Sequence, residues 1–265
     1  MNITNLQTAI RRILYIVLAT IDTLLGRSKP LVTILCYHGI DNSGWYHSVS
    51  LTEFEKQITA LAKNYRFISL AEVLEYIEGN KIITAPSICI TFDDGYQSIL
   101  YVQKLLKKFS ITPTVFVLTD PENVNRSELE NELQLLTEKE IKELQKAGWE
   151  IGSHTATHPN LKTLNKMQLK KEITTSKNAI EKITGVECQY IAYPKGKYSN
   201  KALEIVEKSN YVMGLSMDDN IITSNSPVLT VPRIGVNGSH SVTELLAALS
   251  PLSTQFRKSI KRIIN

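Results

Sequence analysis

Cysteine is scarce in this chain, which has three in 265 residues. Cys36, Cys89 and Cys188 stand far apart, so the sequence has neither a disulfide framework nor a zinc-knuckle spacing. Cys36 and Cys89 lie inside apolar runs, where a free thiol behaves as a small hydrophobic side chain. The chain therefore does not belong to the disulfide-rich or zinc-knuckle classes.

Long apolar runs, internal repeats and low-complexity stretches are absent as well. The segment from Ile10 to Leu25 is rich in apolar residues, but it is too short and too often interrupted for a membrane-spanning helix. No small-x-small cleavage site follows it, so we expect no cleaved signal peptide. A composition of 43% hydrophobic and 21% charged residues argues against disorder, and 265 residues suffice for one α/β barrel.

Charge is unevenly distributed along the chain, whose net charge is +4. Residues 1–30 carry +3 and residues 251–265 carry +4, which leaves −3 on the body between them. An acidic body lacks the basic face that a nucleic-acid-binding domain needs, so we expect no nucleic-acid partner. We predict an amphipathic or membrane-associated segment over 1–30, a barrel domain over 31–250 and a basic tail over 251–265.

The basic ends favour contact with an anionic membrane surface. For residues 1–30 two interpretations stay open, a helix lying in the membrane interface or a helix packed on the barrel. For residues 251–265 we expect a solvated tail, with a second membrane contact as the alternative. The location that this pattern predicts is a bacterial cell, beside the cytoplasmic membrane, on a side that the sequence does not specify.

Seven short β-rich runs alternate with helical stretches. They are Thr33–His38, Ser87–Asp94, Thr112–Leu118, Trp149–His154, Gln189–Pro194, Tyr211–Met217 and Val228–Val236. Most are nearly continuous apolar runs, which is typical of strands covered on both faces of a parallel sheet. Alternation with helices indicates right-handed βα units. The predicted fold is α/β, a distorted, incomplete (β/α) barrel with about seven parallel strands.

Helix starts and ends are also recognisable. Capping-box patterns predict helices that begin at Thr52, Ser69, Thr137 and Ser241. The longest helix is predicted from about Lys166 to Ile183, with Gly185 as the residue that ends it. Residues 119–136 are acidic and rich in asparagine, and we expect a loop or insertion there.

Polar residues lie where the predicted strands end. They are His38, Asp93, Asp94, His154, Tyr193, Pro194 and Asp218. The carboxyl ends of barrel strands form one face, and that face carries the active site. We therefore expect these residues to lie close together in space.

Two histidines and a pair of aspartates form a predicted metal site. His154 and His158 are four residues apart, which lets both imidazoles bind one ion. A carboxylate from Asp93 or Asp94 completes three protein ligands and leaves a position for water. Because adjacent side chains diverge, one aspartate can bind the ion while the other acts as a general base on the water. The pattern predicts a catalytic divalent-metal site.

Three segments together resemble polysaccharide deacetylases of the NodB-homology type. They are Thr91–Tyr96, His154–Pro159 and Tyr193–Gly196, and Cys36–Ile40 is similar to the Tyr-His-x-Ile motif of a subgroup that handles extracellular or lipid-linked polysaccharides. The resemblance spans roughly residues 31–240. It implies a distorted seven-stranded barrel that removes N- or O-acetyl groups from sugars with a divalent metal, zinc before others. It also implies Asp93 as the base and Asp94, His154 and His158 as the metal ligands.

Two departures from the family's pattern bear on the assignment of the base and the acid. Ala192 stands where an arginine commonly braces the base aspartate, and Arg233 on a late strand is either its substitute or a surface arginine. The late leucine-rich motif with an acid histidine is absent, so His38 is the predicted catalytic acid, ahead of His240. The predicted substrate-binding residues are Tyr193, Pro194, Gly196 and Arg233.

We therefore expect a metal-dependent hydrolase that removes acetyl groups from N-acetylated sugars of a polysaccharide or lipid-linked glycan, with peripheral membrane contact. A deformylase or amidase acting on a lipid-linked or small substrate would share the whole site. A non-catalytic glycan-binding module would share the fold alone. The two aspartates and two histidines favour an enzyme, whereas the missing arginine and late histidine favour the module.

Overall fold

The computed structural model describes residues 3–124, 129 and 134–264. The predicted loop over 119–136 lies partly outside these residues, and its described beginning contains a short 3-10 turn at Pro121–Asn123. Among the described helices, none has both the length and the apolar composition needed to span a bilayer.

A sheet of parallel strands forms the centre of the molecule. The strands are β1 (Val32–Tyr37), β2 (Arg66–Phe67), β3 (Ser87–Phe92), β4 (Thr114–Val117), β5 (Glu150–Ser153), β6 (Tyr190–Ala192), β7 (Met213–Leu215) and β8 (Ile234–Gly235). Seven of them follow one path in the order β7-β6-β5-β4-β3-β1-β8, and β2 pairs with β3 beside this path. The longest pairing joins β1 and β3, from Val32 opposite Ser87 to Tyr37 opposite Phe92.

Each of the seven predicted runs overlaps one strand of this path, so the predicted incomplete (β/α) barrel is confirmed. β1 and β3 are buried along their whole length, as strands covered on both faces should be. The additional strand β2 has only two residues, which is too few to leave a periodic pattern in the sequence. Between β7 and β8 the described chain forms a single isolated bridge, Leu215–Val231, so the barrel is incomplete there.

Nine α-helices surround the sheet in the described part of the chain. They are α1 (Ile3–Leu24), α2 (Leu51–Ala62), α3 (Leu70–Ile77), α4 (Gln103–Lys108), α5 (Glu138–Lys146), α6 (Lys166–Thr184), α7 (Asn200–Lys208), α8 (Val242–Ala248) and α9 (Pro251–Ile264). The predicted caps at Ser69, Thr137 and Ser241 are present. α6 ends at Gly185, whose φ of +75° is the left-handed conformation that glycine adopts without strain.

The predicted start of α2 is wrong by two residues. Ser50 caps this helix, because its side chain accepts a hydrogen bond from the N–H of Glu53. Ser50 and Glu53 have the same capping-box spacing as Thr52 and Glu55, so the pattern alone did not choose between the two starts.

Both ends of the described chain are helices that pack together. Asp22 of α1 is buried, and its Oδ2 accepts the N–H of Leu252 at the start of α9 at 2.8 Å. Tyr15 of α1 and Phe256 of α9 belong to one apolar cluster with α8. The prediction of a solvated tail over 251–265 is therefore wrong for its first part, since Phe256 of α9 packs against α1; the side chains from residue 261 onward lie outside the described part of the chain. The buried inner face of α1 agrees with the second interpretation of residues 1–30, a helix packed on the barrel.

Candidate active site

A cavity of about 590 Å³ lies at the carboxyl ends of the strands. Its walls include side chains that follow β1, β3 and β5, namely His38, Asp93, Asp94, His154 and His158. Residues up to 120 positions apart in sequence thus meet at one face, as a barrel requires.

Asp94, His154 and His158 bring their ligand atoms together. Asp94 Oδ1 lies 3.4 Å from His154 Nε2 and 3.5 Å from His158 Nε2, and all three residues are buried. Donor atoms about 2.1 Å from a tetrahedral zinc ion are about 3.4 Å from one another. In the described chain Asp94 Oδ1 also has no hydrogen-bond partner, a deficit that a cation removes. The spacing therefore fits a divalent metal.

The electrostatics of these ligands fit a metal as well. Burial raises the pKa of Asp94 well above its ordinary value, and the charge of Asp93 raises it further. A divalent cation supplies the positive charge that keeps such a carboxylate ionised. Burial lowers the pKa of His154 to about 4, so its imidazole is neutral at pH 7, as a metal ligand must be.

The two histidines stand on a tight loop after β5. Thr155 and His158 have φ values of +70° and +60°, in the left-handed region that L residues rarely adopt. Glu172 of α6 holds this loop, since its Oε2 accepts the N–H groups of Ala156 at 3.0 Å and Thr157 at 2.9 Å. These charge-assisted bonds offset the backbone strain and fix the loop that carries both imidazoles.

His154 is oriented by the backbone of β6. Its Nδ1 lies 2.8 Å from the carbonyl oxygen of Ala192. Because a carbonyl only accepts, Nδ1 carries the proton and Nε2 keeps its lone pair for a metal. A metal-binding histidine is usually oriented in this way, by a hydrogen bond from the ring nitrogen that does not bind the metal. Ala192, the position of the missing arginine, thus contributes through its main chain.

Arg233 binds Asp93 through two parallel hydrogen bonds. Its Nη1 and Nη2 lie 2.7 Å from Oδ1 and Oδ2, and Nη1 also lies 3.2 Å from Thr91 Oγ1. The Arg233 side chain is 0% exposed, which contradicts the predicted substrate contact. Its position corresponds to the alternative, a substitute for the arginine missing at Ala192.

The Asp93–Arg233 pair determines the ionisation of Asp93. Burial by itself would raise the pKa of Asp93, but the charge and hydrogen bonds of Arg233 outweigh burial and hold the pKa below its ordinary value. Asp93 is therefore ionised at neutral pH. Its Oδ2 lies 3.9 Å from His154 Nε2, so a second carboxylate stands directly beside the three-ligand set.

His38 lies on the cavity wall on another side of Asp93. One of its ring nitrogens is within 4.8 Å of an Asp93 oxygen and of Cys36 Sγ. Its Nδ1 is buried and has no hydrogen-bond partner among the described residues. Burial lowers the pKa of His38 to about 3, against the opposing charge of Asp93. Cys36, His38 and Asp93 do not suit a second metal, because burial keeps the Cys36 thiol protonated and Arg233 already neutralises Asp93.

Tyr193, Pro194 and Gly196 do not line the cavity, so the structure does not place them against a substrate bound there. Tyr193 is 0% exposed, and its hydroxyl donates to the carbonyl of Leu229 at 2.7 Å. Pro194 is buried as well. At Gly196, a Cβ atom would lie 2.5 Å from Met217 Cβ, so this glycine permits close packing. Of the four residues of this motif, Lys195 alone lines the cavity.

Several cavity-lining residues were not expected. Arg11 and Tyr15 come from α1, and Arg257 comes from α9. Arg11 Nε lies 2.7 Å from Glu244 Oε1, and Arg257 Nε lies 2.6 Å from Asp219 Oδ1. No local signal identifies these residues, because only the packing of the two terminal helices brings them to the cavity.

The loop after β1 and the loop before α8 complete the lining. Trp45, Tyr46 and His47 lie on the first of these loops, and the half-exposed Tyr46 is the most accessible aromatic ring in the cavity. A role for Trp45 and Tyr46 as platforms for sugar rings stays a prediction. His240 is buried at the cavity wall, where its Nδ1 accepts the N–H of Asn237 at 3.2 Å.

Comparison with known proteins points to one family. Residues 81–214 match the family model described as polysaccharide deacetylase. The chain is 32% identical over 199 residues to the poly-beta-1,6-N-acetyl-D-glucosamine N-deacetylase of Staphylococcus aureus strain MRSA252, an alignment that covers 71% of this chain and 67% of that protein.

Solved structures have the same fold. The Streptococcus pyogenes deacetylase PplD, in complex with acetate, is similar with a TM-score of 0.72 and 26% identity, covering 83% of this chain and 98% of that one. IcaB from Ammonifex degensii has a TM-score of 0.72 and 20% identity, covering 85% and 98%, a likeness that concerns the fold alone.

Proposed function

The chain belongs to the polysaccharide deacetylase family, and we propose that it hydrolyses the acetamido groups of a polymer of β-1,6-linked N-acetylglucosamine. Membership makes it a metal-dependent hydrolase that removes acetyl groups from N-acetylated glycans. The observation that carries the assignment is the three-ligand set of Asp94, His154 and His158 beside the Asp93–Arg233 pair. The substrate is proposed from the Staphylococcus aureus relative, which is named for this polymer.

Asp93 is the proposed general base. When bound to Asp94, His154 and His158, a divalent metal polarises the acetyl carbonyl and lowers the pKa of the attacking water. Asp93 accepts a proton from this water, since its carboxylate is ionised and lies beside the ligand set. Arg233 holds the carboxylate plane through both oxygens, so the base is oriented before substrate arrives.

His38 is the proposed acid for the departing amine. It lies on the cavity wall near Asp93, with a ring nitrogen that has no partner in the described chain. It must carry a proton to act, which the negative charge of Asp93 favours and burial opposes. His240 is less suited, because its Nδ1 is already occupied by the Asn237 N–H.

We propose zinc as the metal. Two imidazole nitrogens and one carboxylate oxygen at tetrahedral spacing form a donor set that zinc prefers, with one position left for water. The buried His154 is neutral, so it binds the ion without first losing a proton.

The test is acetate release from β-1,6-linked N-acetylglucosamine oligomers by zinc-loaded protein, compared with β-1,4-linked chitooligosaccharides. We expect faster release from the β-1,6 series and none from the Asp93→Asn variant, which should retain its zinc. A preference for the β-1,4 series would refute the proposed linkage. No acetate from any N-acetylated glycan, with zinc bound, would refute the deacetylase function itself.

Two narrower expectations are part of the same experiment. Lipid-linked N-acetylated sugars are the second proposed substrate class, motivated by the basic chain ends, and they belong in the substrate panel. Formylated amines in the panel test the amidase alternative, which would share all the groups described. A non-catalytic module is disfavoured, since Arg233 supplies the guanidinium whose absence at Ala192 had favoured it.

A further inference from the structure

The outer face of α1 is an unusually apolar surface. Of the fifteen large hydrophobic side chains that are exposed in the described chain, seven lie between Ile10 and Leu25. They are Ile10, Ile13, Ile16, Val17, Ile21, Leu24 and Leu25, each 37% to 80% exposed. An exposed apolar patch of this kind marks a surface that binds something else.

The pattern on α1 is that of a two-sided helix. Residues 10, 13, 17, 21 and 24 are spaced by three or four positions and share one face. The opposite face holds Tyr15 and Asp22, which are buried against α8 and α9. The inner face therefore accounts for the packing of α1 on the barrel, and the outer stripe serves no purpose within the described molecule.

The charges around the stripe are basic. The one acid of α1 and α9 is Asp22, which is buried, whereas Arg12, Arg27 and Lys29 are exposed. Glu244 of α8 pairs with Arg11 and Arg12 and offsets part of this charge. The packing of α9 against α1 brings Lys258 into the same part of the molecule, whereas the neighbouring Arg257 is paired with Asp219.

We propose that α1 and α9 form one membrane-binding face, which lies in the interface of an anionic bilayer with the apolar stripe of α1 inserted. A basic helix with an apolar face and no capacity to span is the type that binds such interfaces. A symmetric dimer through the stripe fits less well, because it would bring the two basic clusters together. The inference rests on the terminal helices and is independent of the substrate proposed above.

The same helices connect this face to the catalytic cavity. Arg11 and Tyr15 of α1 and Arg257 of α9 line the cavity that contains the metal ligands. A helix is about 10 Å across, so the membrane-bound face would hold the cavity wall about that far from the lipid headgroups. Membrane binding would thus place the deacetylase next to glycan at the bilayer surface.

The experiment is co-sedimentation of the full chain with vesicles of phosphatidylglycerol and phosphatidylcholine, and with vesicles of phosphatidylcholine alone. The test variant replaces Ile13, Val17 and Leu24 by serine. Its matched control replaces Ile82, Tyr101 and Met167 by serine, three apolar side chains outside α1 that are 73% to 86% exposed. None of the six lines the cavity, so both variants should keep the parent's activity on soluble oligomers.

We expect the parent and the control to bind the anionic vesicles, and the test variant to bind them at least about tenfold more weakly. Binding by the parent should also fall at high salt and be weak on phosphatidylcholine alone. Equal binding by the test variant would overturn the proposal, and so would equal binding to neutral vesicles. Sedimentation velocity measures whether the parent dimerises. A parent that dimerises through the stripe and does not bind vesicles would overturn the proposal, because a second copy of the chain would then cover the stripe.

Discussion

Arg233 and Asp93, 140 residues apart in sequence, are joined by two hydrogen bonds of 2.7 Å at the cavity. Arg233 directly precedes β8, which pairs with β1, and β1 pairs with β3, the strand that ends at Asp93. The guanidinium that was expected at the position of Ala192 therefore comes from a different strand. The brace on the base is retained although its motif position holds alanine.

Replacing Arg233 by lysine should impair catalysis more than it destabilises the fold. Lysine keeps the charge but loses the two-point geometry, so we expect kcat to fall by about 10- to 100-fold. The pKa of Asp93 should rise, because a lysine cannot make both of the hydrogen bonds that stabilise the carboxylate. The acid side of the pH–rate profile then moves to higher pH. Arg66→Lys, at an exposed arginine, is the control, and an unchanged acid side would contradict the positioning role.

Metal binding should depend on the three ligands and not on the other histidines of the cavity. After dialysis against zinc, His158→Ala should lose the bound metal, whereas His47→Ala and Asp93→Asn should keep it. Elemental analysis measures the metal, and chelation followed by zinc should abolish and restore activity of the parent. Full zinc occupancy in His158→Ala would rule out the assigned ligand set.

Glu172 should support the metal from outside the ligand set. Glu172→Ala leaves the N–H groups of Ala156 and Thr157 without their acceptor, which costs about 1–3 kcal/mol of unfolding free energy. The loop that carries His158 loosens, so zinc affinity should fall by about 10- to 100-fold. Urea unfolding and zinc titration check both effects, with Glu204→Ala on the surface of α7 as control. Parent-like zinc affinity would show that the loop does not need this clamp.

His240 should make the metal-free protein less stable in acid. Burial, with Arg11 nearby, lowers its pKa from 6.5 to about 4, so the folded state disfavours the proton that the unfolded state accepts. The contribution is present above pH 6.5 and is lost as the pH falls toward 4, by about 2 kcal/mol at pH 5.

The His240→Asn variant isolates this contribution from that of the other buried histidines. Urea unfolding of chelated protein at pH 7 and pH 5 should show a smaller loss for the variant than for the parent. Equal losses in the two proteins would mean that His240 gains its proton without opposing the fold.

Much of the fold was predictable because it depends on local patterns. The apolar runs predicted all seven strands of the main path, and Ser69, Thr137 and Gly185 marked helix limits through their own side chains or backbone. The error at Thr52 arose where two capping patterns overlap, so only the hydrogen bond of Ser50 identified the start. β2 was not predictable, because its two residues are too few to show a hydrophobic periodicity.

The metal ligands were predictable for a different reason. Asp94, His154 and His158 stand directly after strands, and parallel strands of a barrel bring their carboxyl ends together. Substrate contacts were not predictable in the same way. Tyr193 follows a strand too, yet its ring is buried and bonded to Leu229, because a strand end fixes a position but not the direction of the next side chain.

The sequence by itself determined the kind of fold and the donor atoms available at the strand ends, because hydrophobic spacing and residue chemistry are local properties. The tertiary structure alone decided that Arg233 would face Asp93, that Glu172 would clamp the histidine loop, and that both chain ends would build one wall of the cavity. Each of these contacts joins segments distant along the chain, so its energy depends on how whole strands and helices pack, which no local pattern records.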